Sequence, residues 1–169
     1  MSTGLYDVLS LQGLTFPSSN VTSEATAGFE VKDGRNTAFV HLTDALYDTE
    51  VLLSLALGFD SKTITAAQAK TLPGVTEETA LRIFCELFTD SLEDGRTTAV
   101  EVAFFDESGT EVGDTTAVEV TTAEVWQAVS KRVEVPTGAT RINFYLRAFC
   151  EAGDTVQAWI ANLKIVSVG

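Results

Sequence analysis

Side chains that could bind a ligand alternate with apolar residues in one short stretch of the sequence. Residues 141–150 read RINFYLRAFC, and every second position from 143 carries an amide, a ring or a guanidinium: Asn143, Tyr145, Arg147 and Phe149. Successive side chains of a strand point to opposite faces, so these four share one face. Rings stack on sugars, and amides and guanidinium groups bind hydroxyls. The same residue types are enriched in protein interfaces. The face could bind a polysaccharide, bind a protein, or be covered by another part of this chain.

Residues that could perform catalysis are sparse. His41 is the only histidine, and it shares a predicted strand face with Phe39, between Val40 and Leu42, so we interpret it as structural. Neither a phosphate-binding glycine motif nor a cluster of zinc ligands is present. The adjacent carboxylates, such as Asp106-Glu107, lie in predicted turns. We therefore expect a protein that is not an enzyme and that binds no cofactor and no metal.

Composition and charge restrict the classes of partner. The chain has 169 residues and a formal net charge of −13, which disfavours direct binding to nucleic acid. It has no apolar run long enough to cross a membrane. The first residues, MSTGLYDVLSLQG, lack the basic and apolar parts of a signal peptide.

Cys85 and Cys150 fall on the apolar phase of predicted strands. We expect two buried, reduced thiols, with a disulfide between them as the alternative.

Period-two alternation predicts an all-β chain, an antiparallel jelly-roll β-sandwich of about nine strands. Glycine- and proline-containing turns separate the candidate strands. These are Gly28–Asp33, Thr37–Thr43, Val51–Gly58, Leu81–Phe88, Thr97–Asp106, Thr116–Thr121, Val125–Val135, Thr140–Cys150 and Thr155–Val168. Phe59–Thr79 is the one long crossover loop. We expect residues 1–27 to form an N-terminal arm or a first strand, and residues 28–169 to form the sandwich.

Several segments together resemble the carbohydrate-binding-module jelly rolls with a galactose-binding-like fold. They are GFEVKDG, LRIFCELF, VWQAVSKRVEVPTGATRINFYLRAF and VQAWIANLKIVSV, within residues 28–168. The resemblance implies a structural calcium held by a Glu near the first strand and an Asp on the last. Glu30 matches the first position, but Ala161 stands at the second, so calcium is not expected. In the final strand we expect Trp159 to point inward with Leu163.

The resemblance also implies a sugar site of exposed aromatic residues on a concave sheet face. Two groups of residues match that description. They are Phe84, Glu86 and Phe88 on one strand, and Asn143, Tyr145, Arg147 and Phe149 on another. We expect the residues of both groups to bind a ligand or a protein partner.

Two functions follow from these observations. The first is a non-enzymatic accessory virion subunit of a tailed bacteriophage, made in the host cytoplasm. Such a capsid-decoration or tail-associated protein would stabilise a shell by burying surface at subunit seams. Its partners would be protein neighbours, including copies of itself. The alternative is a carbohydrate-binding module or adhesin that uses the aromatic face to bind polysaccharide.

Overall fold

The computed structural model describes residues 2–6, 9–15, 24–43, 49–57, 80–93, 95–139 and 141–168, which form eleven β-strands. The strands are β1 (Ser2–Tyr6), β2 (Leu9–Thr15), β3 (Glu24–Lys32), β4 (Arg35–Thr43), β5 (Thr49–Leu57), β6 (Ala80–Thr89), β7 (Thr97–Phe105), β8 (Thr116–Glu119), β9 (Gln127–Glu134), β10 (Arg141–Cys150) and β11 (Val156–Val168). In these residues, no helix has the length and hydropathy to span a bilayer.

The strands form two antiparallel sheets that pack face to face. Sheet A has the order β3-β4-β11-β6-β9, with β1 also paired to β11, and sheet B has the order β2-β5-β10-β7-β8. The predicted all-β sandwich is confirmed, and each of the nine predicted strands overlaps an observed one. Two further strands, β1 and β2, lie within residues 1–27, where the alternation was too weak to predict them. The predicted crossover loop, Phe59–Thr79, lies outside the described residues.

The inner faces of the two sheets form one apolar core. Phe144 and Leu146 of β10 and Ile160 of β11 are fully buried between the sheets. Cys85 and Cys150 are buried in the same core, and no disulfide joins them. Burial raises the pKa of Cys85 to about 12, because the thiolate would lose its hydration. Cys85 is therefore almost entirely protonated at neutral pH.

A β-bulge in β11 reverses which residues of that strand face the core. Ala158 and Ile160 point inward before the bulge, and Leu163 points inward after it. The pairing with β6 shifts between Ala161 and Lys164, and Asn162 has a φ of 52°. The prediction that Trp159 points inward with Leu163 is wrong, because the extra residue of the bulge separates their phases. Trp159 lies on the outer face of sheet A.

Candidate functional site

The central strand of sheet B presents the predicted aromatic face to the outside. β10 lies between β5 and β7, and its even-numbered residues from Ile142 to Cys150 are buried in the core. Tyr145, Arg147 and Phe149 therefore point outward, and all three are partly buried. We refer to the outer face of sheet B around these three residues as the β10 face. Asn143 occupies the same backbone phase.

Arg147 is the electrostatic centre of the β10 face. Its Nη1 lies 2.6 Å from Glu101 Oε1 and its Nη2 lies 3.0 Å from Glu119 Oε1. Its Nε lies 3.5 Å from Glu50 Oε1. One guanidinium on β10 thus joins carboxylates from β5, β7 and β8, so charge-assisted contacts link four of the five strands of sheet B.

Strand pairing places the aromatic rings beside these carboxylates. Tyr145 lies opposite Glu101 of β7, and Phe149 lies opposite Glu50 of β5. Arg147 lies opposite Ala99, whose small side chain leaves the guanidinium room to cross the sheet. The β10 face therefore combines ring surfaces with hydrogen-bond acceptors and an oriented guanidinium, the groups that bind the faces and hydroxyls of a sugar.

The three glutamates were missed by the sequence reasoning, although one of them left a signal. Residues 97–105 read TTAVEVAFF, in which Glu101 is a lone charge among apolar residues. A carboxylate in such a strand requires a cationic partner when it is buried, and Glu101 is only 9% exposed. That signal predicts a buried arginine or lysine nearby. It does not identify Arg147 as the partner.

The second group of predicted site residues lies on the other side of the molecule. On β6 the side chains of Leu81, Ile83, Cys85 and Leu87 enter the core, so Phe84, Glu86 and Phe88 face outward from sheet A. The two groups of candidate residues therefore lie on opposite outer faces of the sandwich and do not form one surface. Alternation gives the phase of each strand, but it does not give the sheet that the strand joins.

Three aromatic rings on the outer face of sheet A, those of Phe88, Trp126 and Trp159, are in contact with basic side chains of the same chain. Lys32 Nζ lies 4.4 Å from the ring centroids of both Phe88 and Trp159. The Arg35 guanidinium lies 4.6 Å from the centroid of Trp126. Trp159 is only 5% exposed as a result. These cation–π contacts cover much of the surface of these three rings, whereas Phe84 on the same face remains 38% exposed.

His41 belongs to the same covered layer. Its ring centroid is 4.4 Å from that of Phe39 and 5.1 Å from that of Trp159. Burial lowers the pKa of His41, because the charged imidazolium would be poorly hydrated there, and the Glu30 carboxylate opposes that effect. The packing agrees with the structural interpretation of this residue.

The residues at the expected calcium position do not fit that ion. Cross-strand pairing places Glu30, Ala161 and Glu86 in one row on sheet A, joined through β4. Glu30 accepts a hydrogen bond from Trp159 Nε1, and Glu86 accepts two from Arg35. Ala161 has no side-chain oxygen. In the described part of the chain, no three His, Cys, Asp or Glu side chains are grouped to hold a metal.

We expect removal of divalent cations to leave the thermal stability unchanged. A metal that binds only the folded state would raise the melting temperature by mass action, so its removal would lower that temperature by several degrees. Differential scanning calorimetry with EDTA, and with calcium-saturated EDTA as the matched control, should give melting temperatures within about 1 °C of each other. A fall of several degrees in EDTA alone would contradict the absence of a structural cation.

Comparisons with known proteins agree with this architecture. No family model matches the sequence, and no significant relative was found among curated proteins. A carbohydrate-binding module described as belonging to the β-sandwich superfamily superposes with a TM-score of 0.57 at 11% identity, over 91% of this chain and 57% of that chain. The family 11 module of Clostridium thermocellum gives 0.50 at 12% identity, over 98% and 96%.

A phage protein has a similar domain. The enzymatically active domain of bacteriophage CBA120 tailspike protein 4 superposes with a TM-score of 0.56 at 13% identity. The match covers 93% of this chain but 19% of that chain, so this chain corresponds to a small part of it. The chain has the β-sandwich fold of the carbohydrate-binding modules, a fold that also occurs within this tailspike chain.

Proposed function

We propose that this chain is a carbohydrate-binding module that binds polysaccharide on the β10 face without catalysis. The observation that carries the proposal is the outward line of Tyr145, Arg147 and Phe149 on the central strand, set among three carboxylates. The fold supports it, because similar structures include carbohydrate-binding modules, one of them in complex with a mixed-linked tetrasaccharide.

The charge of the β10 face favours a neutral glycan. Glu50, Glu101 and Glu119 outnumber the single guanidinium of Arg147, which gives the cluster a net charge of about −2 at neutral pH. The whole chain carries −13. A polymer of uronic acids or sulfated sugars would be repelled both on approach and at the site. The face should therefore prefer neutral polymers such as xylan or β-glucan.

Replacing Tyr145 by alanine should abolish binding without unfolding the protein. A ring at the centre of a binding face contributes a large share of the affinity, so we expect a loss of at least about thirtyfold. Tyr145 is partly exposed, and its removal should change the melting temperature by only a few degrees. Affinity electrophoresis in gels containing xylan or β-glucan measures the first effect, and a thermal melt measures the second.

Phe84→Ala is the matched control for that experiment. Phe84 is 38% exposed on the opposite sheet, so its removal should leave polysaccharide affinity unchanged. Equal losses in the two variants would contradict a site on the β10 face. A large loss of stability in Tyr145→Ala would identify the face as covered core. Polygalacturonate serves as the anionic polymer, and binding to it as tight as to neutral glycans would overturn the neutral preference.

The accessory virion role is the second candidate, supported by the tailspike domain of similar fold. The two functions are compatible, because an adhesin can be carried on a particle. Density-gradient fractionation of a source lysate tests it directly. The 18.1 kDa chain should sediment with a large particle at a fixed ratio to a shell or tail protein. Recovery in the soluble fraction alone would exclude this role.

A further inference from the structure

β3 offers a long strand edge that is suited to pairing with another strand. It is the end strand of sheet A, and in the described residues no strand pairs with its outer edge. Two of its apolar side chains are exposed, Phe29 at 55% and Val31 at 70%. A free edge of nine residues that carries exposed apolar groups is a template for strand addition, unless charges, proline or a bulge block it. β3 contains no proline, and its pairing with β4 is unbroken. Its three charged residues, Glu24, Glu30 and Lys32, include both signs, so they can pair with charges of another chain instead of repelling it.

The turn that follows β3 determines which backbone groups point to the free edge. Asp33 and Gly34 have φ values of 51° and 76°, as in a two-residue type I′ turn. Lys32 and Arg35, which flank this turn, therefore form a hydrogen-bonded pair. Hydrogen-bonded and non-hydrogen-bonded pairs alternate along an antiparallel ladder. The even-numbered residues of β3 thus bond to β4, and the backbone groups of residues 25, 27, 29 and 31 point away from it.

We propose that a second copy of this chain pairs its β3 antiparallel with this edge, about a two-fold axis at Gly28. The strand reads EATAGFEVK, and in this register all nine residues overlap. Phe29 lies opposite Ala27 of the other copy, and Val31 lies opposite Ala25, so each large apolar side chain meets a small one. The outward groups of the four odd-numbered residues of each copy form about eight hydrogen bonds.

Charge complementarity selects this register. Lys32 of each copy lies opposite Glu24 of the other, which gives one pair of opposite charges at each end of the ladder. Although Lys32 also contacts the rings of Phe88 and Trp159, its side chain remains 24% exposed. Opposite charges in directly facing positions stabilise a sheet, and like charges destabilise it. An axis at Glu30 would place two glutamates opposite each other, and an axis at Phe29 would leave Lys32 opposite a threonine.

The dimer would also affect ligand binding, and this consequence rests on the proposed function of the β10 face. The two-fold axis is perpendicular to sheet A, so sheet A becomes continuous across both copies and both sheets B lie on the same side of it. The two β10 faces then point in the same direction. Two such faces can bind one insoluble polysaccharide surface together, which raises the apparent affinity without any new sugar contact.

Sedimentation velocity of the whole chain over a range of concentrations tests the proposal. The wild type should shift toward twice the 18.1 kDa chain mass as the concentration rises. Glu24→Lys places two lysines opposite each other at both ends of the ladder, and Lys32→Glu places two glutamates there. Each variant alone should dimerise about tenfold more weakly than the wild type.

An equimolar mixture of the two variants is the decisive sample. In a mixed dimer, the lysine pair of one chain faces the glutamate pair of the other at both ends, so dimerisation should be restored. A wild type that stays monomeric up to about 1 mM, the range of the weakest specific affinities, would overturn the proposal. So would a mixture that dimerises no better than the single variants. Thermal melts show that each variant is folded, and Tyr145→Ala should dimerise like the wild type even if it no longer binds sugar.

Discussion

Phe144→Ala should lower the free energy of unfolding by about 3 to 5 kcal/mol. Phe144 is fully buried, and it lies on β10 in the middle of sheet B, where both neighbouring strands limit how far the cavity can collapse. The loss combines the transfer free energy of the ring with the cost of the cavity that remains. Urea denaturation at 10 to 20 °C, near the usual temperature of maximum stability, should show a lower midpoint with an unchanged slope.

The control for this prediction is Phe84, a phenylalanine that lies on the surface of the protein instead of in the core. Phe84→Ala removes a ring that is 38% exposed, so we expect a loss of about 1 kcal/mol or less. A domain of this size is typically stable by about 5 to 15 kcal/mol, so Phe144→Ala should remain folded but become markedly more sensitive to heat. A loss below about 1 kcal/mol at Phe144 would contradict the packing of the core described here.

Arg147→Met should cost about 2 to 3 kcal/mol of stability, although it replaces a charge by an apolar side chain. The guanidinium is the shared partner of Glu50, Glu101 and Glu119, and the side chain of Glu101 is only 11% exposed. Its removal leaves a poorly hydrated carboxylate without a cation and brings three negative charges together unopposed. The estimate is below the value for a fully buried pair because the Arg147 side chain retains 21% of its exposure.

A double-mutant cycle separates the electrostatic contribution from packing. Glu101→Gln alone removes a charge that Arg147 satisfies, whereas Glu101→Gln in the Arg147→Met background removes a charge that is no longer satisfied. The double variant should therefore recover about 1 kcal/mol or more relative to Arg147→Met alone. If the two substitutions are additive in urea denaturation, the network contributes nothing beyond two independent side chains.

The positions of strands and faces were predictable where alternation is uninterrupted. In β10 the apolar phase from Ile142 to Cys150 is regular, so the outward direction of Tyr145 and Arg147 followed from the sequence. The same reasoning failed for Trp159, because the bulge at Asn162 inserts one residue and reverses the phase. Before the bulge the sequence has no glycine or proline to mark it, and an asparagine with a positive φ is a weak signal.

The composition of the site was only half predictable, because it depends on pairing between distant strands. Arg147 and Phe149 were accessible to sequence reasoning, but Glu50 and Glu119 come from strands separated from them by many residues. Phe84 and Phe88 were predicted as site residues because their residue types match a sugar site. Their strand joins the other sheet, and that choice is made by tertiary packing rather than by local pattern.

The position of β11 has a consequence for how the protein is made. β11 lies between β4 and β6 and is synthesised after the other ten described strands. Until it leaves the ribosome, sheet A consists of two separate antiparallel strand pairs, the hairpin of β3 with β4 and the pair of β6 with β9, each with an open edge. A nascent chain with such edges can pair with other chains, which favours aggregation. Most contacts join residues far apart in sequence, so folding should be slow, in the range of milliseconds to seconds. A ribosome that stalls before Val156 would therefore release a chain whose two strand pairs in sheet A have no strand to join them.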